Sequence, residues 1–188
     1  LRRQRQMCIR DRETGELTRE QVMLGRFHEF FESEGLPTDQ VKVFNDEYQI
    51  RLGDKAFFCD HGDELVKQLK ATVKQYAVTN GTTVAQERKL RFSGLDQLLD
   101  GVFISEQVGV DKPQKAFFDA VWNEIGSYAP DEVVIVGDSL TSDIRGGKNA
   151  GILTCWYNPD HLPNKIEVTP DCTIDNLQDI LSYLDESR

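Results

Sequence analysis

The chain is short of several things, and each shortage excludes something. No apolar run approaches the roughly 18 residues that a membrane-spanning helix needs, and no short apolar stretch behind a basic start marks a secretory signal. The four cysteines, Cys8, Cys59, Cys155 and Cys172, include no Cys-x-x-Cys pair. They read as reduced thiols of a cytoplasmic protein, not as a disulfide frame or zinc site. Histidine is scarce, and His28, His61 and His161 lack the spacing of a metal site. Basic residues are outnumbered, 22 against 32 acidic, for a net charge of −10. That deficit argues against nucleic acid or an anionic membrane as the main partner. No internal repeat and no low-complexity segment is present.

What remains is a 188-residue chain that is 39% hydrophobic, long enough for one α/β domain and a smaller accessory piece. Residues 1–12 stand apart: they hold five arginines and a single acid, Asp11, with no helical stripe and no alternation. They resemble translated sequencing-adapter read-through and are set aside as non-native.

From Thr18 to Ile50 the pattern is helical. Thr18, with Gln21 three residues on, forms a capped start. Val22, Phe27, Phe30 and Phe31 recur at helical spacing, and Gly35-Leu36-Pro37 closes the segment. A second helix over Asp39 to Ile50 offers Val43, Phe44 and Ile50 as its apolar face. Two helices with no strand between them read as a cap or hairpin.

Beyond Ala56, strand and helix alternate. Strands are expected at Tyr76-Ala77-Val78, Val102-Phe103-Ile104, Val133 to Val136, Ile152 to Trp156 and Cys172-Thr173-Ile174. Helices are expected around Leu65, Val84 to Leu90, from Pro113 through Ile125, from Asp143 to Ala150, and around Ile180. This rhythm predicts a doubly wound parallel sheet. The four aliphatic residues Val133 to Val136 predict a strand buried on both faces.

Three polar signals follow strands and would meet at one sheet edge, where open α/β folds bind ligands. Thr79-Asn80-Gly81 offers a hydroxyl and backbone N–H groups to phosphate oxygens. Lys112 offers positive charge to a phosphoryl group. Asp138 and Asp143 offer hard oxygens to Mg²⁺, whose charge would offset their repulsion. Each signal taken singly has a plainer reading as a turn, a solvated lysine or a helix cap; their order, each at a strand end, is the specific feature. Gly146 and Gly147 are expected to serve close packing, and Trp156 and Tyr157 to pack at the sheet edge or stack on a base.

This order resembles the haloacid dehalogenase (HAD) superfamily of phosphohydrolases over nearly all of Gly15 to Leu184. Thr79 matches its second motif, Lys112 its third, and Gly137-Asp138-Ser139-Leu140-Thr141-Ser142-Asp143 its fourth. The wording Val110-Asp111-Lys112-Pro113 and Thr154-Cys155-Trp156-Tyr157-Asn158-Pro159 is similar to the noncanonical pyrimidine nucleotidases, a 5′-nucleotidase branch. The resemblance implies a HAD-like Rossmannoid core, a partial helical cap over 13–60, and a core over 61–188. It implies Mg²⁺ held by Asp138 and Asp143, Thr79 and Lys112 as catalytic groups, phosphate held by Thr79, Asn80, Gly81 and Lys112, and a nucleoside monophosphate as substrate.

One departure is large. The family's nucleophile, which forms an aspartyl-phosphate, lies in an Asp-x-Asp pair after the first strand, and no Asp-x-Asp occurs in these 188 residues. Asp60-His61-Gly62-Asp63 has the wrong spacing. The expectation is a core without its first strand, truncated at the N-terminus and inactive as it stands. A sugar-phosphate or phosphoglycolate phosphatase of the same superfamily, or a catalytically dead regulator that binds Mg²⁺ and phosphate, are the alternatives.

Overall fold

A computed structural model describes residues 18–126 and 128–186. The region set aside at 1–12 lies outside the described residues. Helix α1 spans Arg19–Ser33, and the capping box forms as the sequence foretells. Thr18 Oγ1 accepts from Gln21 N at 3.2 Å, while Gln21 Oε1 accepts from Thr18 N at 2.8 Å. A 3₁₀ turn at Thr38–Gln40 leads into α2, Val41–Gly53. Phe27, Phe31 and Val41 form the core of this helical pair.

The buried face of α2 is not the apolar one expected. Val43 is 66% exposed, and Phe44 and Ile50 are exposed as well. Val41, Asn45, Gln49 and Gly53, spaced four apart, face inward instead. The reason is the neighbour, helix α4 (Thr83–Ser93). A Cβ on Gly53 would lie 2.5 Å from Arg88 Cβ, so only glycine admits the approach, and Gln49 Oε1 accepts from Thr82 Oγ1 at 2.9 Å. Phe44 keeps edge contacts with Phe27 and Phe31, ring centroids 5.0 and 5.2 Å away.

The α/β portion follows with α3 (Gly62–Leu69), β1 (Tyr76–Thr79), α4, β2 (Gly101–Ile104), the short α5 (Ser105–Val108), α6 (Lys115–Ile125) and β3 (Val134–Gly137). It ends with α7 (Arg145–Ala150), β4 (Leu153–Tyr157), β5 (Cys172–Ile174) and α8 (Ile180–Glu186). Every strand pairing is parallel, as the alternation predicts. Among the described residues the strands form two ladders, β1-β2 and β3-β4-β5, where one sheet was expected. Both border one apolar cluster: Phe117, Phe118, Val121, Ile135 and Ile152 are buried, with Val78, Phe103 and Val133 packed against them.

Three expectations shift locally. β3 is not buried on both faces: Ile135 points into the Phe117–Phe118 cluster, but Val136 points to the opposite face, where it is 38% exposed and joins no apolar cluster among the described residues. Pro113 does not open α6; it sits in a turn closed by Gln114 N donating to Asp111 O at 3.0 Å, and the helix starts at Lys115. The stretch from Asp143 begins as a π-type turn, Leu140–Ile144, before α7. Gly146 and Gly147 serve packing as expected: a Cβ would lie 2.9 Å from Phe118 and 2.5 Å from Ile135, respectively. No described helix is long and apolar enough to cross a membrane.

Candidate active site

Lys112 is the hub. Its side chain is 5% exposed, and its ammonium donates to Val78 O at the end of β1 (2.7 Å) and to Asp143 Oδ1 after β3 (2.6 Å). A lysine buried to this degree requires a paired anion, because the desolvation of a lone ammonium is prohibitive. Asp143 Oδ2 accepts from Ser139 N at 3.1 Å, so both carboxylate oxygens are held. Gly137 makes this possible: a Cβ there would collide with the Asp143 carboxyl. The π-type turn carries Asp143 back over the end of β3, and Ser139 Oγ caps it by accepting from Ser142 N at 3.2 Å.

The Thr79 loop is tied to the same hub. Asn80 brackets the main chain of Lys112: its Nδ2 donates to Lys112 O at 2.8 Å and its Oδ1 accepts from Lys112 N at 2.9 Å. The Asn80 side chain is thereby committed to positioning the main chain of Lys112. Thr79 Oγ1 accepts from Gly81 N at 3.2 Å, folding a small turn at the strand end. A Cβ on Gly81 would strike Gln86 of α4.

Asp138 is exposed, one residue past β3, and its backbone carbonyl accepts from Trp156 Nε1 at 3.1 Å. Asn80 and Gly81 thus follow Thr79, the last residue of β1, Asp138 and Asp143 follow β3, and Lys112, which comes after α5, is hydrogen-bonded to both segments. Among the described residues no group of three His, Cys, Asp or Glu side chains forms a closed metal cage. Two carboxylates suit Mg²⁺, which commonly takes one or two and fills its remaining positions with water and substrate oxygens.

The remaining candidates have structural surroundings. Asp60 accepts from Tyr157 Oη at 2.8 Å and from Leu177 N at 3.2 Å, holding the segment that follows α2 against the end of β4. The hydrogen bond to Asp60, together with burial, pushes the Tyr157 hydroxyl up to about 12. Trp156 is buried, and Tyr157, half-buried, packs against the cluster of Leu65, Cys155, Ile174 and Ile180. His28, His61 and His161 lie beside Glu32, Glu64 and Asp175 on the surface. Cys155 and Cys172 face each other across β4 and β5, and burial raises both thiols. Two residues escaped the sequence reading. Arg19 reaches from α1 into the core loops, and Asp171 accepts from Thr154 N and Oγ1, both at 2.8 Å. Partners this distant in sequence leave no local signal.

Comparison with known proteins agrees with this geometry. The profile of the haloacid dehalogenase-like hydrolases matches residues 8–151. HAD-hydrolase YfnB of Bacillus subtilis is 35% identical over 172 residues, 92% of this chain and 73% of that one. Its crystal structure, bound to magnesium, superposes with a TM-score of 0.91 over 98% of this chain and 80% of the other. Pyrimidine 5′-nucleotidase PynA of Streptococcus pneumoniae is 34% identical, covering 95% and 75% of the two chains. Pyrimidine 5′-nucleotidase YjjG of Escherichia coli is 31% identical, covering 93% and 76%. With its fold, its motif order and its sequence in agreement, the chain belongs to the haloacid dehalogenase-like hydrolases.

Proposed function

We propose that this chain carries the Mg²⁺ and phosphate machinery of a nucleoside 5′-monophosphate phosphohydrolase, with pyrimidine nucleotides as the preferred class. The observation that carries the reading is the buried Lys112–Asp143 pair, joined through Asn80 to the Thr79 loop. Thr79 Oγ1 and the backbone N–H groups beside it hold phosphoryl oxygens. Lys112 directs its ammonium at the charge that develops during transfer, while Asp143 and Val78 O fix its position. Asp138 holds Mg²⁺, and Asp143, with both oxygens already bonded, acts mainly by orienting the site. When bound, Mg²⁺ neutralises charge on the phosphoryl oxygens.

The nucleotide preference is supported by PynA and YjjG, which align over three quarters of their length. Turnover needs a carboxylate nucleophile, and the sequence holds no Asp-x-Asp pair to supply it. The 188-residue chain therefore binds nucleotide without hydrolysing it. Calorimetry with Mg²⁺ and a panel of uridine, thymidine and adenosine monophosphates and sugar phosphates tests this, beside a phosphate-release assay. Mg²⁺-dependent binding, tightest for a pyrimidine nucleotide and without release, is the expected result. Tighter binding of a sugar phosphate moves the assignment to that class, and Mg²⁺-independent or absent binding of every phosphomonoester overturns it.

A further inference from the structure

Arg19 opens the cap helix α1, yet its side chain is only 19% exposed and reaches Gly81, the start of α5 and Asp111. Nη1 donates to Gly81 O at 2.6 Å, and Nη2 donates to Ser105 Oγ at 2.6 Å and to Asp111 Oδ1 at 2.7 Å. Gly81 ends the Thr79 loop, Ser105 follows β2, and Asp111 directly precedes Lys112. Asn80, covalently next to Gly81, brackets the main chain of Lys112, covalently next to Asp111. A closed ring results: Arg19 joins Gly81 to Asp111 on one side, and Asn80 joins the same two loops on the other.

We infer that Arg19 is a positioning residue of the phosphate site, by which the cap fixes the spacing between the Thr79 loop and Lys112 and neutralises Asp111. This rests on the phosphomonoester reading above. The charge argument is direct. Asp111 is 18% exposed and adjoins the lysine that serves the anion. Without a cation opposite it, its carboxylate repels phosphate and competes for the Lys112 ammonium. The geometric argument is the fork: a guanidinium spans several acceptors in one plane, whereas an ammonium is a single point charge.

The test is calorimetric titration of the 188-residue chain with inorganic phosphate in Mg²⁺, with circular dichroism and thermal unfolding of each variant. Arg19→Ala is expected to weaken phosphate binding by about tenfold or more, the scale of one charged hydrogen bond. Arg19→Lys, which keeps the charge but not the fork, is expected to lose about threefold or more and serves if the alanine variant does not fold. Arg19→Ala combined with Asp111→Asn removes the carboxylate that Arg19 faces and is expected to regain about threefold or more over Arg19→Ala, a recovery that simple loss of packing does not produce. Arg19→Ala or Arg19→Lys binding phosphate within about twofold of the unsubstituted chain overturns the role of Arg19, as does a double variant no better than Arg19→Ala. Failure of the unsubstituted chain to bind phosphate in Mg²⁺ is a different result: it overturns the phosphate site itself, and the role of Arg19 with it.

Discussion

The Lys112 ammonium sits 2.6 Å from an Asp143 carboxylate oxygen, with the two side chains 5% and 12% exposed. Removing one partner of a buried pair strands the other, at a cost of about 3–5 kcal/mol; removing both is far milder. Lys112→Met and Asp143→Leu are each expected to lower the unfolding free energy by that amount, and the double variant by clearly less than the sum. Urea unfolding of the four proteins measures it. Strictly additive losses would show that the pair carries no coupling in solution.

Asp138 gives a complementary expectation. Its side chain is exposed and forms no ion pair among the described residues, so Asp138→Asn is expected to stay within about 0.5 kcal/mol of the parent without metal. With Mg²⁺ at ten times its dissociation constant, the parent gains about 1.4 kcal/mol by mass action, and the variant gains nothing. Thermal unfolding with and without Mg²⁺ reads the difference. A variant that keeps the full gain removes Asp138 from the metal site.

Gly137 links the strand to the chemistry. A Cβ at this position collides with the Asp143 carboxyl, and the carboxyl is already held by Lys112 and Ser139. Gly137→Ala is expected to cost about 1–3 kcal/mol by overpacking and to abolish stabilisation by Mg²⁺ in the same unfolding assay. Undiminished stability together with unchanged Mg²⁺ response would mean that Asp143 has room to move, contrary to the geometry.

The sequence disclosed these parts unequally, for physical reasons. The Thr18–Gln21 box and the parallel strands were legible because local chemistry carries them: a capping pair three residues apart and β-branched runs at regular intervals. The inward face of α2 was not, because hydropathy points to Val43 and Ile50 while the helix turns Asn45, Gln49 and Gly53 toward α4. A close glycine contact and a glutamine–threonine hydrogen bond decide that orientation. Arg19 was illegible for a related reason. Its partner Asp111 lies 92 residues away, and an arginine in a first helical turn has no pattern that separates it from a solvated one.

Asp171 shows the same blindness and yields a prediction with a defined sign. Its carboxylate accepts from Thr154 N and Oγ1, both at 2.8 Å, and from Lys148 Nζ at 2.6 Å, at a point where Thr154 is fully buried. Burial works against ionisation, but the hydrogen bonds from Lys148 and Thr154 outweigh it and hold the carboxyl below its ordinary range. A carboxyl whose pKa is depressed by folding contributes stability above its unfolded value near 3.8, and loses that contribution as pH falls through the folded value. Asp171→Asn keeps the shape but not the charge, so it is expected to cost about 1–2 kcal/mol at pH 7, near the lower end for a charged hydrogen bond because the site is partly open to water. The gap between parent and variant is expected to shrink as the pH falls from about 3.8 through the depressed folded value, below which the parent carries a neutral carboxyl there as well. Urea unfolding at neutral and acidic pH decides it; a gap of the same size at both would show that the Asp171 charge contributes nothing to the fold.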